Sequence, residues 1–217
     1  LTILSILLAK IPPITSAVDI GCGVGTWLSA LQSKGIKDIQ GFDGNWVDEK
    51  LLEIPKGCFN SVDLRKKILF NRRFDLAISL EVAEHLPSEF ANDFVLSLTS
   101  LSDYILFSAA IPYQMGNHHI NEQWPDYWIK IFNNQDYVVY DFIRPKIWQN
   151  NKIPFWYKQN ILFFVKKEKI PKLLLDAWDQ QTNAGALNIV HPELYQKKVS
   201  ALQVGIKGSC KLLLQAI

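Results

Sequence analysis

Short apolar runs alternate with helix-like patterns along most of the chain, and this alternation limits the folds available to it. Apolar runs that suit buried strands lie at residues 17–20, 38–42, 59–62, 74–79 and 104–108. Between them, the spacing of apolar residues predicts helices over 26–34 and 88–101, and Gly35 can end the first. Strands separated by helices are typical of βα units, so the sequence predicts an α/β protein with a parallel sheet.

The pattern changes after residue 111. Residues 112–124 are polar and aperiodic, and a loop of this length in a compact domain is usually functional. Downstream, the patterns predict a short helix over 125–132 and an antiparallel pair of strands over 137–142 and 160–165. Two further helices are predicted over 171–180 and 192–204. We therefore expect a main domain over 1–166 and a helical C-terminal extension over 167–217.

Composition excludes several classes of protein. The 217 residues are 48% hydrophobic and 20% charged, as in a folded globular protein, and a net charge of +2 is too weak to favour nucleic acid. The longest apolar stretch, residues 1–9, is about half of the ~18 residues that a membrane span needs. Cys22, Cys58 and Cys210 lack disulfide or zinc spacing. We expect a soluble cytoplasmic protein with reduced thiols.

The run VDIGCGVGTW at residues 18–27 is the most specific motif. Glycines at alternate positions between a strand and a helix allow a tight turn and a close approach of the backbone to a ligand. A dinucleotide loop would need GxGxxG, but the third glycine is replaced by Thr26 or Leu28, depending on the register. The loop therefore predicts a ligand other than a dinucleotide.

This loop resembles motif I of class I methyltransferases that depend on S-adenosylmethionine (SAM), an acidic residue followed by GxGxG. Asp19, Gly21, Gly23 and Gly25 match it position by position. The resemblance, over about residues 12–165, implies a Rossmann-like, doubly wound, mainly parallel seven-stranded sheet with an antiparallel last strand. It also implies SAM as the cofactor and methyl transfer as the activity.

Acidic residues recur at the ends of the predicted strands, where ligands bind in doubly wound sheets. Asp43 resembles the acid that takes the ribose hydroxyls, and Asp63 occupies the position that accepts the adenine amino group, beside the Leu64 amide. Taken singly, each aspartate is equally suited to a turn or a helix cap. The full set expected to bind the cofactor is Asp19, Gly21, Cys22, Gly23, Gly25, Asp43, Gly44, Asp63, Leu64, Leu80 and Glu81.

The segment EVAEH at residues 81–85 follows the fourth predicted strand. If a helix begins near Glu81, then Glu81, Glu84 and His85 share one face and offer oxygen and nitrogen ligands to a divalent ion such as Mg²⁺. The segment resembles the ExxEH motif of ubiquinone-pathway O-methyltransferases and small-RNA 2′-O-methyltransferases, which implies a metal that holds substrate hydroxyls. The alternative is that the acids only stabilise the first helical turn.

The polar loop contains His118, His119, Asn121 and Glu122. The runs FSAAIP and HxNEQWPxYW resemble a set of uncharacterised microbial methyltransferases, in which His119 is the matching position. We predict His119 as a fourth metal ligand and, with His85, as a catalytic residue; the alternative is a solvent-facing loop histidine.

These motifs together predict a methyltransferase acting on a hydroxyl of a small molecule or glycan, with the assistance of a metal. No NPPY or DPPY run is present, which disfavours methylation of base amino groups. Two alternatives stay open at this point. A non-catalytic SAM-binding or partner-binding domain would keep the glycine loop without using the polar loop, whereas a nucleotide-dependent oxidoreductase would need the missing glycine.

Overall fold

The chain forms a single seven-stranded sheet in a computed structural model that describes residues 1–171 and 184–201. Its strands are β1 (Ser16–Ile20), β2 (Asp38–Asp43), β3 (Phe59–Ser61), β4 (Leu76–Leu80), β5 (Tyr104–Ser108), β6 (Tyr137–Tyr140) and β7 (Leu162–Lys166). They are ordered β3-β2-β1-β4-β5-β7-β6, and β7 runs antiparallel to both of its neighbours. The predicted fold is confirmed, including its antiparallel last strand.

Helices cover both faces of this sheet. They are α1 (Thr2–Leu8), α2 (Thr26–Gln32), α3 (Ala91–Leu101), α4 (Pro125–Asn133), α5 (Arg144–Ile147) and α6 (Phe155–Asn160). One buried cluster joins the sheet to α3 and α4, and a second joins its other face to α1, α2 and α5. Because β1 and β4 are covered on both sides, every residue in them is buried, which explains their continuous apolar runs.

Most predicted elements form within a few residues of their expected ends. The predicted helix over 88–101 divides into a 3₁₀ turn, Ser88–Phe90, and α3. The short helices α1, α5 and α6 were not predicted, since each is too short to show a clear apolar period. The predicted helix over 171–180 lies outside the described residues beyond Pro171, whereas residues 192–201 are helical as expected.

Residues 184–201, called here the C-terminal segment, pack against the sheet domain. Nη1 of the buried Arg144 guanidinium donates to the carbonyls of Gln159 (2.8 Å) and Leu187 (3.0 Å). Nε and Nη2 of the same guanidinium donate to the two carboxylate oxygens of Asp141. Leu194 packs in a small apolar cluster with Ile111 and Phe155. The division of the chain at residue 166 stays a prediction, but the segment shares buried contacts with the main domain.

Within the described ranges, none of the helices is both long and apolar enough to cross a bilayer.

Candidate active site

The glycine loop follows β1 and places bare backbone at an open cavity. Gly21, Gly23 and Gly25 all have positive φ, at 80°, 54° and 87°. A Cβ on Gly21 would lie 2.3 Å from Val82, and one on Gly25 would lie 2.8 Å from Ile54, whereas a Cβ on Gly23 would meet nothing within 4 Å. Two of the glycines are therefore required by packing, and Gly23 faces free space.

Asp43, at the end of β2, is joined directly to the glycine loop. Its buried carboxylate accepts the N–H of Gly23 on one oxygen and the N–H of Gly44 on the other, each at 2.6 Å. The adjoining cavity has a volume of about 490 Å³, within the range of small-molecule sites, and is lined by Gly21, Gly23, Asp43, Glu81 and Asn117 among others. Asp43 therefore stands where the sequence predicts a cofactor contact.

Asp19 and Cys22 have side chains below the loop and not in the cavity. Asp19 is only 2% exposed, and its Oδ2 has no hydrogen-bond partner among the described residues. Burial and, secondarily, the charge of Asp43 raise the pKa of Asp19 well above its usual value. The Cys22 thiol packs against Gly41, so only the backbone of Cys22 is part of the loop.

A second cavity of about 530 Å³ adjoins the first and is lined by Asp63, Leu64 and Trp46 among others. Asp63 pairs with Arg65, and hydrogen bonds from this arginine lower the pKa of the carboxyl to about 2. Trp46 is 72% exposed, and its indole lies across Gly44, where a Cβ would come within 2.1 Å of the ring. Leu80, by contrast, lies in the buried core at the end of β4. Sequence analysis did not include Trp46 among the site residues, because its only signal in the sequence is its position shortly after the strand-end acid Asp43.

The EVAEH segment differs from its prediction, since no helix begins at Glu81. Glu81 has a φ of 57°, and only Ala83–His85 form a 3₁₀ turn. The Glu81 N–H is held by the carbonyl and hydroxyl of Ser108, at 3.0 and 3.1 Å, which keeps this residue at the sheet edge. The expected i, i+3, i+4 helical face is therefore wrong.

Glu81 is instead surrounded by primary amides. Asn160 Nδ2 donates to both carboxylate oxygens at 3.1 Å, and Gln114 Nε2 donates to one at 3.1 Å. Gln159 Nε2 donates in turn to the side-chain oxygens of Gln114 and Asn160, and the backbone N–H of His191 donates to Gln159 Oε1 at 2.8 Å. We call Gln114, Gln159 and Asn160 the amide relay. Burial raises the pKa of Glu81 despite these donors.

Three of the four predicted metal ligands form a cluster. Each of Glu84, His85 and His119 contributes one ligand atom, and these three atoms lie within 4.8 Å of one another. Glu81 is not part of this group. Glu84 is fully buried, and neither of its carboxylate oxygens has a well-aligned hydrogen bond within the described ranges. Burial first, then the charge of Glu81, raise the pKa of Glu84 to about 9, although backbone amides partly oppose this. Burial also lowers the pKa of His85.

The polar loop is fastened to this segment by backbone hydrogen bonds. The N–H groups of Ile120 and Asn121 both donate to the carbonyl of Glu84, at 2.9 and 3.0 Å. These bonds bring His119 against His85, with ring centroids 4.8 Å apart and planes at 83°. Asn117 and His118 line the cavity next to the glycine loop. The loop thus closes over both cavity and cluster, as a functional loop would.

Comparison in sequence finds a family match for slightly less than half of the chain. Residues 2–104 match a family described as a methyltransferase domain. The match includes the glycine loop, both strand-end acids and the EVAEH segment, and it stops before the polar loop. No curated protein matches the chain.

Solved methyltransferase structures share the fold. The small RNA methyltransferase HEN1 superposes with a TM-score of 0.56 at 16% identity over 76% of this chain and 25% of its own, so this chain spans about a quarter of HEN1. The methyltransferase domain of bacterial CtHen1 gives 0.55 at 20% identity, covering 76% of this chain and 95% of that one. An O-methyltransferase family protein from Burkholderia thailandensis gives 0.53 at 10% identity, covering 71% and 51%.

Proposed function

We propose that this chain is a class I SAM-dependent methyltransferase. It transfers the methyl group of SAM to a hydroxyl oxygen of a small molecule or glycan, assisted by a divalent ion. The observation that carries the proposal is Glu84. A fully buried carboxylate such as that of Glu84, which has no well-aligned hydrogen bond to the described residues, is costly unless a cation or donor joins it. Two imidazoles lie beside it, and together they form an oxygen and nitrogen ligand set.

The cofactor half of the proposal rests on the glycine loop and the strand-end acids. Gly23 leaves space for a ligand against bare backbone, and the Asp43 carboxylate can take the paired ribose hydroxyls of SAM. Asp63 and Leu64 line the adjoining cavity, which suits the adenine. We assign the cofactor to the residues named for it above; Asp19, Cys22 and Leu80 act from below the cavity by holding the loop and the strand end.

The ion is assigned to Glu84, His85 and His119, and Glu81, the fourth predicted ligand, is a second carboxylate close to Glu84. An ion held by these residues would supply positive charge that favours deprotonation of the acceptor hydroxyl. The neutral form of His85 suits this role, because burial lowers its pKa and metal binding requires a free imidazole nitrogen. A cation would also stabilise the ionised form of Glu84, which burial disfavours.

The reaction itself is an in-line displacement. The acceptor oxygen attacks the methyl carbon, the carbon–sulfur bond breaks with its electron pair moving to sulfur, and S-adenosylhomocysteine (SAH) leaves. The protein must align the two reactants and exclude water, and the polar loop closes over the cluster where the acceptor would lie. We assign His85 and His119 as catalytic residues that hold the acceptor oxygen. The hydroxyl proton passes to one of these imidazoles when no ion occupies the cluster, and to the Glu81 carboxylate, which lines the same cavity, when an ion is bound.

Metal binding gives the first test, because it needs no acceptor. We expect SAH-loaded protein to bind Mn²⁺ with 1:1 stoichiometry in calorimetry, and Glu84→Gln to weaken that binding at least tenfold. Glu89→Gln, an exposed acid on the neighbouring turn, is the matched control and should bind as the native chain does. Absence of Mn²⁺ binding would refute the ion.

Transfer from methyl-labelled SAM to a panel of sugars and polyols tests the acceptor. Chelation with EDTA should then reduce turnover while leaving SAM affinity within about twofold, because separate residues hold the cofactor. Full activity in metal-free protein would leave His119 as a general base, testable with His119→Ala. SAM binding without transfer to any hydroxyl acceptor would favour the non-catalytic alternative.

A further inference from the structure

Both histidines of the cluster turn the same ring nitrogen toward an oxygen. His119 Nδ1 lies 2.9 Å from Glu122 Oε1, and His85 Nδ1 lies 3.3 Å from the carbonyl oxygen of His118. A carboxylate and a backbone carbonyl can only accept a hydrogen bond. Each bond therefore requires the proton on Nδ1.

This requirement decides which nitrogen remains for a ligand. A neutral imidazole carries one proton, so a proton on Nδ1 leaves the lone pair on Nε2. The bond to Glu122 is the shorter of the two and is charge-assisted, so it constrains its ring more strongly than the His118 carbonyl constrains His85. Glu122 is well placed for this, since only 17% of its side chain is exposed.

The same carboxylate oxygen also shapes the loop. The N–H of Met115 donates to Glu122 Oε1 at 2.6 Å, which closes residues 115–122 into a ring around His119. Within this ring, a Cβ on Gly116 would lie 2.3 Å from His119 Nε2, so the imidazole rests against bare backbone. Glu122 and Gly116 together hold the His119 ring in place.

We propose that Glu122 is a positioning residue that holds His119 as the Nδ1–H tautomer and so presents Nε2 to the cluster with Glu84 and His85. The proposal deepens the proposed function and rests on it for the role of the cluster. A metal-binding histidine usually donates its second ring nitrogen to a carboxylate or carbonyl, and loss of that partner typically weakens metal binding about 10- to 100-fold. Gly116 is required for the same geometry, because any side chain there displaces the ring.

The tautomer can be read directly by NMR without metal or acceptor. In ¹⁵N-labelled protein at pH 8, above the ordinary imidazole pKa of ~6.5, long-range ¹H–¹⁵N spectra distinguish Nδ1–H from Nε2–H rings. We expect His119 to be Nδ1–H in the native chain and in Glu122→Gln, whose amide oxygen still accepts, and to shift to Nε2–H in Glu122→Ala. Glu89→Ala is the control that should change nothing. An unchanged His119 tautomer in Glu122→Ala would overturn the proposal.

Mn²⁺ affinity of the SAH-loaded protein gives the second readout. Glu122→Ala should weaken binding about 10- to 100-fold and Glu122→Gln by less. Gly116→Ala leaves Glu122 intact but displaces the ring, so it should also weaken binding and keeps the test open if Glu122→Ala does not fold. If the native chain shows the Nδ1–H tautomer but binds no Mn²⁺, the metal role fails while the positioning role stands. Native affinity in Glu122→Ala together with a shifted tautomer would show that Glu122 does not act on the cluster.

Discussion

The site has two halves that are built in different ways. The half that we assign to the cofactor, called here the cofactor half, consists of the glycine loop and the strand-end acids Asp43 and Asp63. These residues lie close in sequence to the strands that position them. The acceptor half joins the EVAEH segment, the polar loop, the end of α6 and the C-terminal segment, from positions up to 110 residues apart. Backbone conformation dominates the first half and side-chain amides the second. Mutations should therefore impair cofactor binding in the first half, whereas mutations of the amides should impair folding in the second.

Gly23→Val should cause the largest effect, a loss of SAM affinity greater than 100-fold. The side chain would occupy the open space next to the loop, and a β-branched residue at a φ of 54° is also strained. Gly35→Val is the matched control, because Gly35 also has positive φ and open space but lies beyond α2. It should lose stability yet keep SAM affinity within twofold by calorimetry. Equal loss of binding in both variants would mean that backbone strain, not occupancy of the cavity, is responsible.

Gln159→Met should act in the opposite way, on stability. It removes the buried acceptor of the His191 N–H and the donor to Gln114 and Asn160, which we expect to cost about 2–4 kcal/mol and to lower Tm by roughly 5–15 °C. SAH affinity should fall less than threefold, since no strand-end contact changes. Gln149→Met, on the exposed surface, should stay within ±0.5 kcal/mol. If Gln159→Met is as stable as the native chain, the amides do not stabilise the second half and the proposed difference between the halves is wrong.

Asp43→Ala should weaken SAM and SAH about 10- to 100-fold while changing stability less than Gln159→Met does. The carboxylate is a paired, charge-assisted acceptor worth roughly 1.5–3 kcal/mol to a ribose diol. Asp63→Ala should cost less, because the Asp63 side chain is 33% exposed and its carboxylate pairs with Arg65, whereas Asp43 is buried. Equal effects of the two substitutions would contradict the ribose assignment.

Asp75→Ala should have the smallest effect on stability. Asp75 directly precedes β4, so it lies at the end of the sheet opposite the candidate site. Asp75 accepts hydrogen bonds from Thr15 and Ser16; partial burial opposes its ionisation, but these bonds outweigh it and lower the pKa. A lowered pKa stabilises the fold above the unfolded pKa of ~3.9, and the gain is lost as pH falls through the folded value. We expect about 1 kcal/mol at pH 7, limited by solvent screening, that declines in denaturant melts as pH falls through the lowered folded pKa. A pH-independent difference would show that the loss comes from packing.

The halves also differ in how far the sequence predicted them. The fold and the strand-end acids follow from local patterns, since each apolar run fixes a strand and each acid directly follows one. Glu84, His85 and His119 were predicted from motifs, and the structure brings their ligand atoms together. Their assignment to a metal stays a prediction.

The amide relay has no comparable signal. Gln114, Gln159 and Asn160 are ordinary polar residues in sequence, and only the packing of α6 and the polar loop against Glu81 brings them into contact. The same tertiary contacts explain the wrong helical interpretation of residues 81–85. Hydrogen bonds from the Glu81 N–H to Ser108, which sequence spacing cannot reveal, hold Glu81 in a left-handed conformation.

The backbone N–H of His191 gives the relay a fixed direction. A side-chain amide can rotate to exchange its oxygen and nitrogen, but a backbone N–H can only donate, so Gln159 must present its oxygen to His191 and its nitrogen to Gln114 and Asn160. That nitrogen orients the next two amides toward Glu81. The last strand ends at Lys166, and His191 lies 25 positions further along the chain. On the ribosome the cofactor half is therefore complete in sequence well before this donor is synthesised, and the acceptor half acquires its final hydrogen-bond order only after the sheet has been made.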